Sequence, residues 1–235
     1  MAGGATIRVE PVRALDLRCT GEGWAFEAAH RDAIARHWEQ AVSGNPRLWN
    51  GRTLICTSAI VERGVFRAGL AEIDYASFVA WRDWGRPDAS VVNCFGVPAV
   101  FSSDGALLLG VMAPWTLNAG RAYPPSGSLE PKDVQPGGRV DILANMRTEL
   151  LEETGLDLAE AEAGPMAVIF EGPRLAVVQR HDFPLSMAEI AARFAEHAAR
   201  DAHPELSAVE GLRSPGNIDS RMPDYVGALI RHFHR

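Results

Sequence analysis

The stretch Thr148-Glu149-Leu150-Leu151-Glu152-Glu153-Thr154-Gly155-Leu156 places three carboxylates at positions i, i+3 and i+4 and closes on a glycine. On a helix of 3.6 residues per turn, Glu149, Glu152 and Glu153 lie within one arc of about 100°. Like charges at this spacing repel one another, more strongly when they are partly buried. A hard divalent cation such as Mg²⁺ prefers carboxylate oxygens and would relieve that repulsion. The pattern therefore predicts a helix with an acidic, metal-binding face.

The opposite face of this helix is apolar. The residues predicted to pack on the core are Leu143, Ala144, Leu150 and Leu151. Asp141 is the predicted N-cap residue, and Gly155 ends the helix. Taken alone, E-x-x-E-E is more often a solvated face than a metal site, so the interpretation depends on the residues around it.

A loop rich in proline and glycine, Tyr123 to Asp133, precedes the helix, and its prolines exclude a regular helix there. Loop and helix together resemble the signature of the Nudix hydrolases, in which a glycine and an acid precede a helix carrying R-E-U-x-E-E-x-G-U, with U aliphatic. Gly127 and Asp133 match the first part of that signature. The second part is matched by Glu149, Leu150, Glu152, Glu153, Gly155 and Leu156.

The chain departs from the signature in two ways. The spacer before position 148 is longer than in the family, and the excess, residues 134–140, is centred on Pro-Gly-Gly, which predicts an inserted loop. Thr148 occupies the place of the signature arginine, which in the family pairs with the loop acid and orients the glutamates. Arg147 lies one residue early, about 100° around the helix. Arg139, on the inserted loop, is a candidate replacement, and a solvated loop residue is an equally good interpretation.

The resemblance implies the Nudix fold, an α/β (α+β) architecture in which a mixed β-sheet is sandwiched between helices. The breaker at residues 85–88 marks the predicted boundary between a smaller N-terminal α+β extension, residues 1–88, and the Nudix domain, residues 89–235, whose signature loop and helix span 126–156. Residues 1–5 are expected to be disordered, and residues 6–20 to form a strand pair. Two strands, 52–61 and 65–73, and helices at 24–41 and 75–84 complete the predicted extension.

In the predicted second domain, hairpins are expected at 91–112 and 166–179, around Ser-Asp-Gly and Glu-Gly-Pro turns. A helix at 186–202, a short strand at 206–212 and a helix at 225–233 follow. This order of hairpin, signature helix, hairpin and helix agrees with a mixed sheet covered on both faces.

Composition, charge and cysteines exclude several classes of function. With 47% apolar residues, 23% charged residues and a net charge of −7, the chain is ordinary for a globular protein and lacks the basic stripe of a nucleic-acid binder. No apolar run is long enough to span a membrane, and the N-terminus lacks a signal pattern. Cys19, Cys56 and Cys94 form no C-x-x-C pair, so we expect reduced thiols in a cytoplasmic protein.

A narrower resemblance concerns the substrate. Residues 45–51 (N-P-R-L-W-N-G), 69–70 and 74–78 (D-Y-A-S-F) are similar to the N-terminal region of UDP-glucose pyrophosphatase-type Nudix proteins. That similarity implies hydrolysis of a UDP-sugar to UMP and a sugar 1-phosphate, with Mg²⁺ or Mn²⁺ as the cofactor. ADP-ribose or coenzyme A derivatives are alternatives, as is a ligand-binding or regulatory domain that has lost catalysis. A homodimer is left open, because many relatives pair through an extra domain.

The resemblance also implies roles for individual residues. Glu149, Glu152 and Glu153 would bind the metal and act in catalysis, and one of them or a later acid, Glu205 or Glu210, would take the proton of the attacking water. The predicted substrate-binding residues are Arg121, Tyr123 and Arg139. For the aromatic residues Trp49, Tyr75 and Phe78, packing in a core and stacking on a base are both open interpretations.

Overall fold

Ten strands form two β-sheets in residues 7–234, the part of the chain that the computed structural model describes. The expected disordered start, residues 1–5, lies outside these residues. The strands are β1 (Ile7–Val12), β2 (Ala14–Cys19), β3 (Arg52–Glu62), β4 (Val65–Asp74), β5 (Asn93–Phe101), β6 (Leu107–Met112), β7 (Ala122–Tyr123), β8 (Glu162–Glu171), β9 (Arg174–Asp182) and β10 (Leu206–Leu212). The α-helices are α1 (Ala25–Ala29), α2 (Arg31–Gly44), α3 (Tyr75–Asp83), α4 (Ile142–Thr154), α5 (Met187–Ala198) and α6 (Asp224–Phe233).

The larger sheet is mixed and carries helices on both faces. Its strand order is β1-β8-β9-β5-β6-β10, with β7 paired to β6, and β5 runs parallel to β9 while its other pairs are antiparallel. On one face, α6 buries Val226 and Leu229 against Val97. On the other, α4 buries Ile142 and Met146. Because both faces of β5 are covered, its sequence is apolar almost throughout. The predicted α/β architecture, a mixed sheet between helices, is confirmed.

The smaller sheet, β2-β4-β3, lies between the first three helices and α4. On its outer face, Trp24 and Trp81 pack on Ile73. On its inner face, Leu17 and Phe66 join the same core as α4. The strands at 52–61 and 65–73 and the helix at 75–84 were predicted correctly, and the helix predicted at 24–41 is divided at residue 30.

The prediction of a strand pair in residues 6–20 is wrong in its pairing. Strands β1 and β2 both form, but β1 pairs antiparallel with β8 of the larger sheet, and β2 runs parallel to β4 of the smaller one. Arg13 alone separates them, which is too short for the two-residue turn of a hairpin. Its N–H instead donates to the carbonyl oxygen of Gly64, at 2.8 Å, where the chain passes between the sheets. The first 88 residues thus contribute one strand to the larger sheet, and a division at residue 88 stays a prediction.

Helix α4 is rotated relative to the sequence-based expectation. Leu143 and Leu151, predicted to face the core, are 39% and 44% exposed, and Ala144 is exposed as well. The buried stripe consists of Ile142, Asn145, Met146, Leu150 and Thr154. The rotation follows from the contact with β5, where Met146 lies over the backbone of Gly96, so that a Cβ there would come within 2.8 Å of its Cγ. Hydrophobicity alone could not reveal it, because the decisive neighbour is a glycine on another element.

The inserted loop predicted at 134–140 is present and packs on β2. Gly137 and Gly138 both have left-handed backbone angles, φ 84° and 78°. The N–H of Cys19 donates to the carbonyl oxygen of Gly138, at 2.8 Å, and the N–H of Val140 donates to that of Leu17, at 2.9 Å. The loop therefore joins the signature segment to the smaller sheet. Among residues 7–234, no helix is long and apolar enough to cross a membrane.

Replacing Gly96 with alanine should destabilise the protein by about 1–3 kcal/mol, because the added methyl overlaps the side chain of Met146 in a packed core. For a chain of this size the melting temperature should fall by roughly 2–10 °C. Gly44→Ala, at the end of α2 where a Cβ meets no atom within 4 Å, is the matched control. Equal melting temperatures for the two variants would contradict this account of the rotation of α4.

Candidate active site

The loop before α4 brings its glycine against the first glutamate of the helix. A Cβ on Gly127 would overlap the carboxyl group of Glu149, so only glycine permits this approach. The loop is fixed on both sides. Ser128 forms an isolated bridge with Phe95 of β5, and the carbonyl oxygen of the buried Leu129 accepts the N–H of Leu54, at 2.8 Å. The approach of loop and helix is therefore set by the two sheets.

The loop acid Asp133 is buried and tied to α4 by an asparagine. Its Oδ2 accepts the N–H of Glu130, at 2.8 Å, and the Nδ2 group of Asn145, at 3.2 Å. Asn145 is 0% exposed. The same Nδ2 lies 3.3 Å from the carbonyl oxygen of Ser128 and 3.4 Å from Oε1 of Glu149. One buried amide thus joins the loop acid, the loop backbone and the first glutamate.

Asn145 contacts both Asp133 and Glu149, the connections that the resemblance assigns to an arginine at position 148. It lies one turn before Thr148, on the buried stripe of α4. Arg147 instead pairs with Asp157, at 3.0 Å. Arg139 is largely exposed and pairs with Asp141, at 3.5 Å. The role of Asn145 was not predicted, because it is a neutral amide placed one turn before the position of the expected arginine. Its spacing of four residues from Glu149 was nevertheless a usable signal.

Glu149 and Glu153 are held where their charged forms are unfavourable. The side chain of Glu149 is only 15% exposed. Burial raises its pKa to about 7, and Lys132, whose Nζ lies 3.9 Å from Oε1, opposes that rise. Burial also raises the pKa of Glu153 well above its ordinary value, with further contributions from Glu205 and Glu149. Glu152, in contrast, is exposed.

Of the two later acids, Glu205 is brought to this cluster and Glu210 is not. Glu205 makes the largest electrostatic contribution to the raised pKa of Glu153. Although Glu205 is exposed, the protein around it shields it in part from water and raises its own pKa. Glu210 lies on β10 and forms a bidentate ion pair with Arg221, at 2.9 and 2.8 Å.

A cleft of about 300 Å³ opens beside Gly127. Arg121 and Tyr123, two of the three predicted substrate-binding residues, line it, and Arg139 is not among its lining residues. Tyr75 and Phe78 of α3 also line the cleft, with their rings stacked 5.9 Å apart. Phe78 packs in addition against the core of the smaller sheet, and stacking of this pair on a base stays a prediction. Trp49, at 80% exposed, is neither in a core nor in the cleft.

The donor chemistry of the cluster fits a hard divalent cation. Carboxylate oxygens are the ligands that Mg²⁺ prefers, and Glu149 and Glu153 are crowded by like charges that a cation would neutralise. As the side chains stand, no three His, Cys, Asp or Glu residues within 7–234 converge closely enough to enclose an ion. The site thus offers ligand oxygens that do not yet surround an ion. A bound cation would attract the carboxylates, which otherwise repel one another.

Comparison with known proteins gives distant likenesses. No family model matches the chain, and no curated protein matches it. The solved structure of DR0079 from Deinococcus radiodurans is 16% identical, with coverage of 78% of this chain and 99% of that one and a TM-score of 0.43. The structure of a MutT protein from Methanosarcina mazei Go1 is 16% identical, with coverage of 60% and 92% and a TM-score of 0.40. At these scores neither likeness bears on function, which has to be inferred from the site.

The raised pKa of Glu149 has a consequence for stability without metal. In the unfolded chain this group ionises near its ordinary pKa, whereas in the folded protein it keeps its proton to about pH 7. Between these two pKa values the folded state therefore binds more protons than the unfolded state. The contribution of Glu149 to the free energy of unfolding falls as the pH rises through that window. When thermal unfolding is measured in EDTA between pH 5 and 8, the melting temperature of Glu149→Gln should fall less with rising pH than that of the wild type.

Glu149→Gln has to be compared with the wild type because His181 changes stability with pH in the direction opposite to Glu149. Burial lowers its pKa to about 4, so its contribution to stability rises with pH over part of the same range. This contribution is the same in both proteins and cancels in their difference. Parallel curves for Glu149→Gln and the wild type would contradict the placement of Glu149 in a shielded site.

Asn145→Asp should be destabilising in a pH-dependent way. The substitution keeps the shape, removes the donors that Asp133 and Glu149 use, and adds a third buried carboxyl beside them. We expect a loss of about 1–3 kcal/mol in unfolding free energy at pH 8 and a smaller loss at pH 5, where carboxyls are more protonated. Asn217→Asp, at an exposed position, is the control. A loss that does not depend on pH would show that Asn145 acts through packing alone.

Proposed function

We propose that this protein is a Nudix-type hydrolase that uses Mg²⁺ or Mn²⁺ to split the pyrophosphate bond of a nucleoside diphosphate linked to another moiety. The observation that carries the proposal is the contact of Gly127 with the carboxyl of Glu149, with Glu153 and a cleft beside it. The proposed substrate is a UDP-sugar, giving UMP and a sugar 1-phosphate, and the support for it is the similarity of residues 45–51 and 74–78 to UDP-glucose pyrophosphatase-type proteins. The reduced cysteines support a cytoplasmic setting.

The proposed chemistry gives each acid a separate task. Glu149, Glu152 and Glu153 would hold the cation, which when bound lowers the pKa of water and neutralises phosphate oxygens. Glu205 is the best placed acid to take the proton of the attacking water, because it is exposed at the cluster while Glu210 is paired with Arg221. Asn145 would keep Asp133 and Glu149 in place during the reaction.

The cleft suits a nucleotide in size and in chemistry. Its volume of about 300 Å³ lies at the lower end of the range for small-molecule sites. The stacked rings of Tyr75 and Phe78 offer a surface for a base, and Arg121 offers a guanidinium for a phosphate. ADP-ribose or a coenzyme A derivative would use the same features.

A catalytically silent binding domain is the second candidate, and the substitution of the signature arginine by Thr148 favours it. The connections of Asn145 weigh against it, because they hold the loop acid and Glu149 together without an arginine. Hydrolysis separates the two candidates, since a binding domain would retain a nucleotide without turning it over.

Products should form from a panel of nucleotide-sugars, ADP-ribose and coenzyme A only when Mg²⁺ or Mn²⁺ is present. Glu153→Gln should lower the rate at least about 100-fold, since even residues that only support metal ligands contribute up to that factor. Its circular dichroism spectrum should match the wild type. Glu196→Gln, exposed on α5, is the matched control and should keep the wild-type rate. An unchanged rate in Glu153→Gln, or release of products in EDTA, would refute the proposal.

A further inference from the structure

Within residues 7–234, four arginines line the cleft of a protein whose net charge is −7. Three of them have partners within the protein. Arg82 pairs with Asp83 at 2.7 Å, and Arg174 with Glu171 at 2.9 Å. Arg121 donates to the carbonyl oxygen of Ser220, at 3.3 Å. The fourth, Arg86, has no side-chain hydrogen bond or ion pair with any residue in the described range 7–234.

Arg86 is held in the cleft at a cost to the backbone. Its φ of 60° lies in the left-handed region, which is unfavourable by about 1 kcal/mol or more for a residue with a side chain. Its N–H donates to the carbonyl oxygen of Trp81, at 2.8 Å, and its guanidinium lies 5.9 Å from the centre of the Trp81 ring. The backbone conformation thus places on the wall of the cleft a guanidinium that has no ion pair within residues 7–234.

The positive charges here repel one another. Burial lowers the pKa of Arg86, the charges of Arg174 and Arg82 lower it further, and the charges of Glu171 and Asp83 oppose that decrease. Arg174 also has an unused donor, because its Nε is buried and has no hydrogen-bond partner among the described residues. Glu171 accepts from one end of Arg174, at 2.9 Å, and the remaining donors of Arg86 and Arg174 are ones that an anion in the cleft would accept.

Arg174 is displaced along β5 from the part of the cleft where Gly127 meets Glu149. Ser128, next to Gly127, bridges to Phe95, whereas Arg174 is in register with Asn93, two residues earlier on β5. At about 3.3 Å per residue this separates the two positions by about 7 Å along the strand. The buried Tyr225 also lines the cleft, with its ring 5.5 Å from that of Phe95.

We infer that Arg86 and Arg174 bind an anionic group of the substrate other than its pyrophosphate, either a carboxylate or a phosphomonoester. The inference rests on the proposed function, because it assumes that the pyrophosphate lies at the glutamate end. The planar guanidinium fork matches both anions in a bidentate way. A substrate with a neutral sugar, such as UDP-glucose, would leave these donors unused. The site therefore selects a nucleotide conjugate with an additional negative charge, on the sugar or on the nucleoside.

Two matched pairs of ligands test this inference and locate the charge. UDP-glucuronate and UDP-glucose differ by a carboxylate on the sugar, and 2′-phospho-ADP-ribose and ADP-ribose by a phosphate on the nucleoside. We expect the charged member of one pair to bind at least about 10-fold more tightly than its neutral partner, as measured by calorimetry in EDTA, where hydrolysis does not occur. The pair that shows this preference identifies the position of the anion.

Arg86→Gln should reduce that preference, with Arg174 accounting for what remains, while Arg36→Gln, which removes the same charge from an exposed position on α2, should retain it in full. Arg86 is the better variant because it has no partner to leave unpaired, whereas the loss of Arg174 would strand the buried carboxylate of Glu171. Equal affinities within both pairs, equal effects of the two variants, or no binding of any of the four ligands would overturn the inference. A preference for the charged member without turnover in Mg²⁺ would instead refute the proposed function and leave the anion site in place.

Discussion

The close approach of Gly127 to the carboxyl of Glu149 is the constraint on which the rest of the site depends. It requires a residue without a side chain in the loop, a helix that presents Glu149 at the edge of its buried face, and a scaffold that holds both. The scaffold comes from β5 through Ser128, and from the smaller sheet through Leu54 and the inserted loop. The site thus lies where both sheets meet α4. Its geometry depends on the orientation of α4, which is set by the contact of that helix with Gly96.

That geometry keeps carboxyl groups under electrostatic strain. Glu149 and Glu153 are shielded from water, the charge of Glu205 raises the pKa of both, and Lys132, 3.9 Å from Glu149, offsets part of that effect. A protein selected for stability alone would have no reason to keep them there, since burying like charges is unfavourable. The arginine end of the cleft shows the same kind of strain with the opposite sign at Arg86. Under the proposed function, a cation would complete the first of these sites and an anion the second.

The sequence was sufficient for the local features and insufficient for those that depend on distant neighbours. Asp141 caps α4 by accepting the N–H of Ala144, and Gly155 ends it with φ 73°, as capping chemistry predicts. The rotation of α4 could not be predicted, because it depends on the empty space at Gly96. Asn145 was missed because an amide carries no charge signature, and Arg86 because its neighbour Arg174 is far away in the sequence. The pairing of β1 with β8 was missed for the same reason, since alternation predicts a strand but not its partner.

Proton release on metal binding tests the central claim most directly. If the ion enters the strained carboxylate cluster, then at pH 7 its binding must displace protons that burial has retained on Glu149. Titration calorimetry with Mg²⁺ in two buffers of different ionisation enthalpy should report release of protons on binding, with a smaller release in Glu149→Gln. Binding heats that are independent of the buffer, or the absence of binding in the millimolar range of Mg²⁺, would contradict the account.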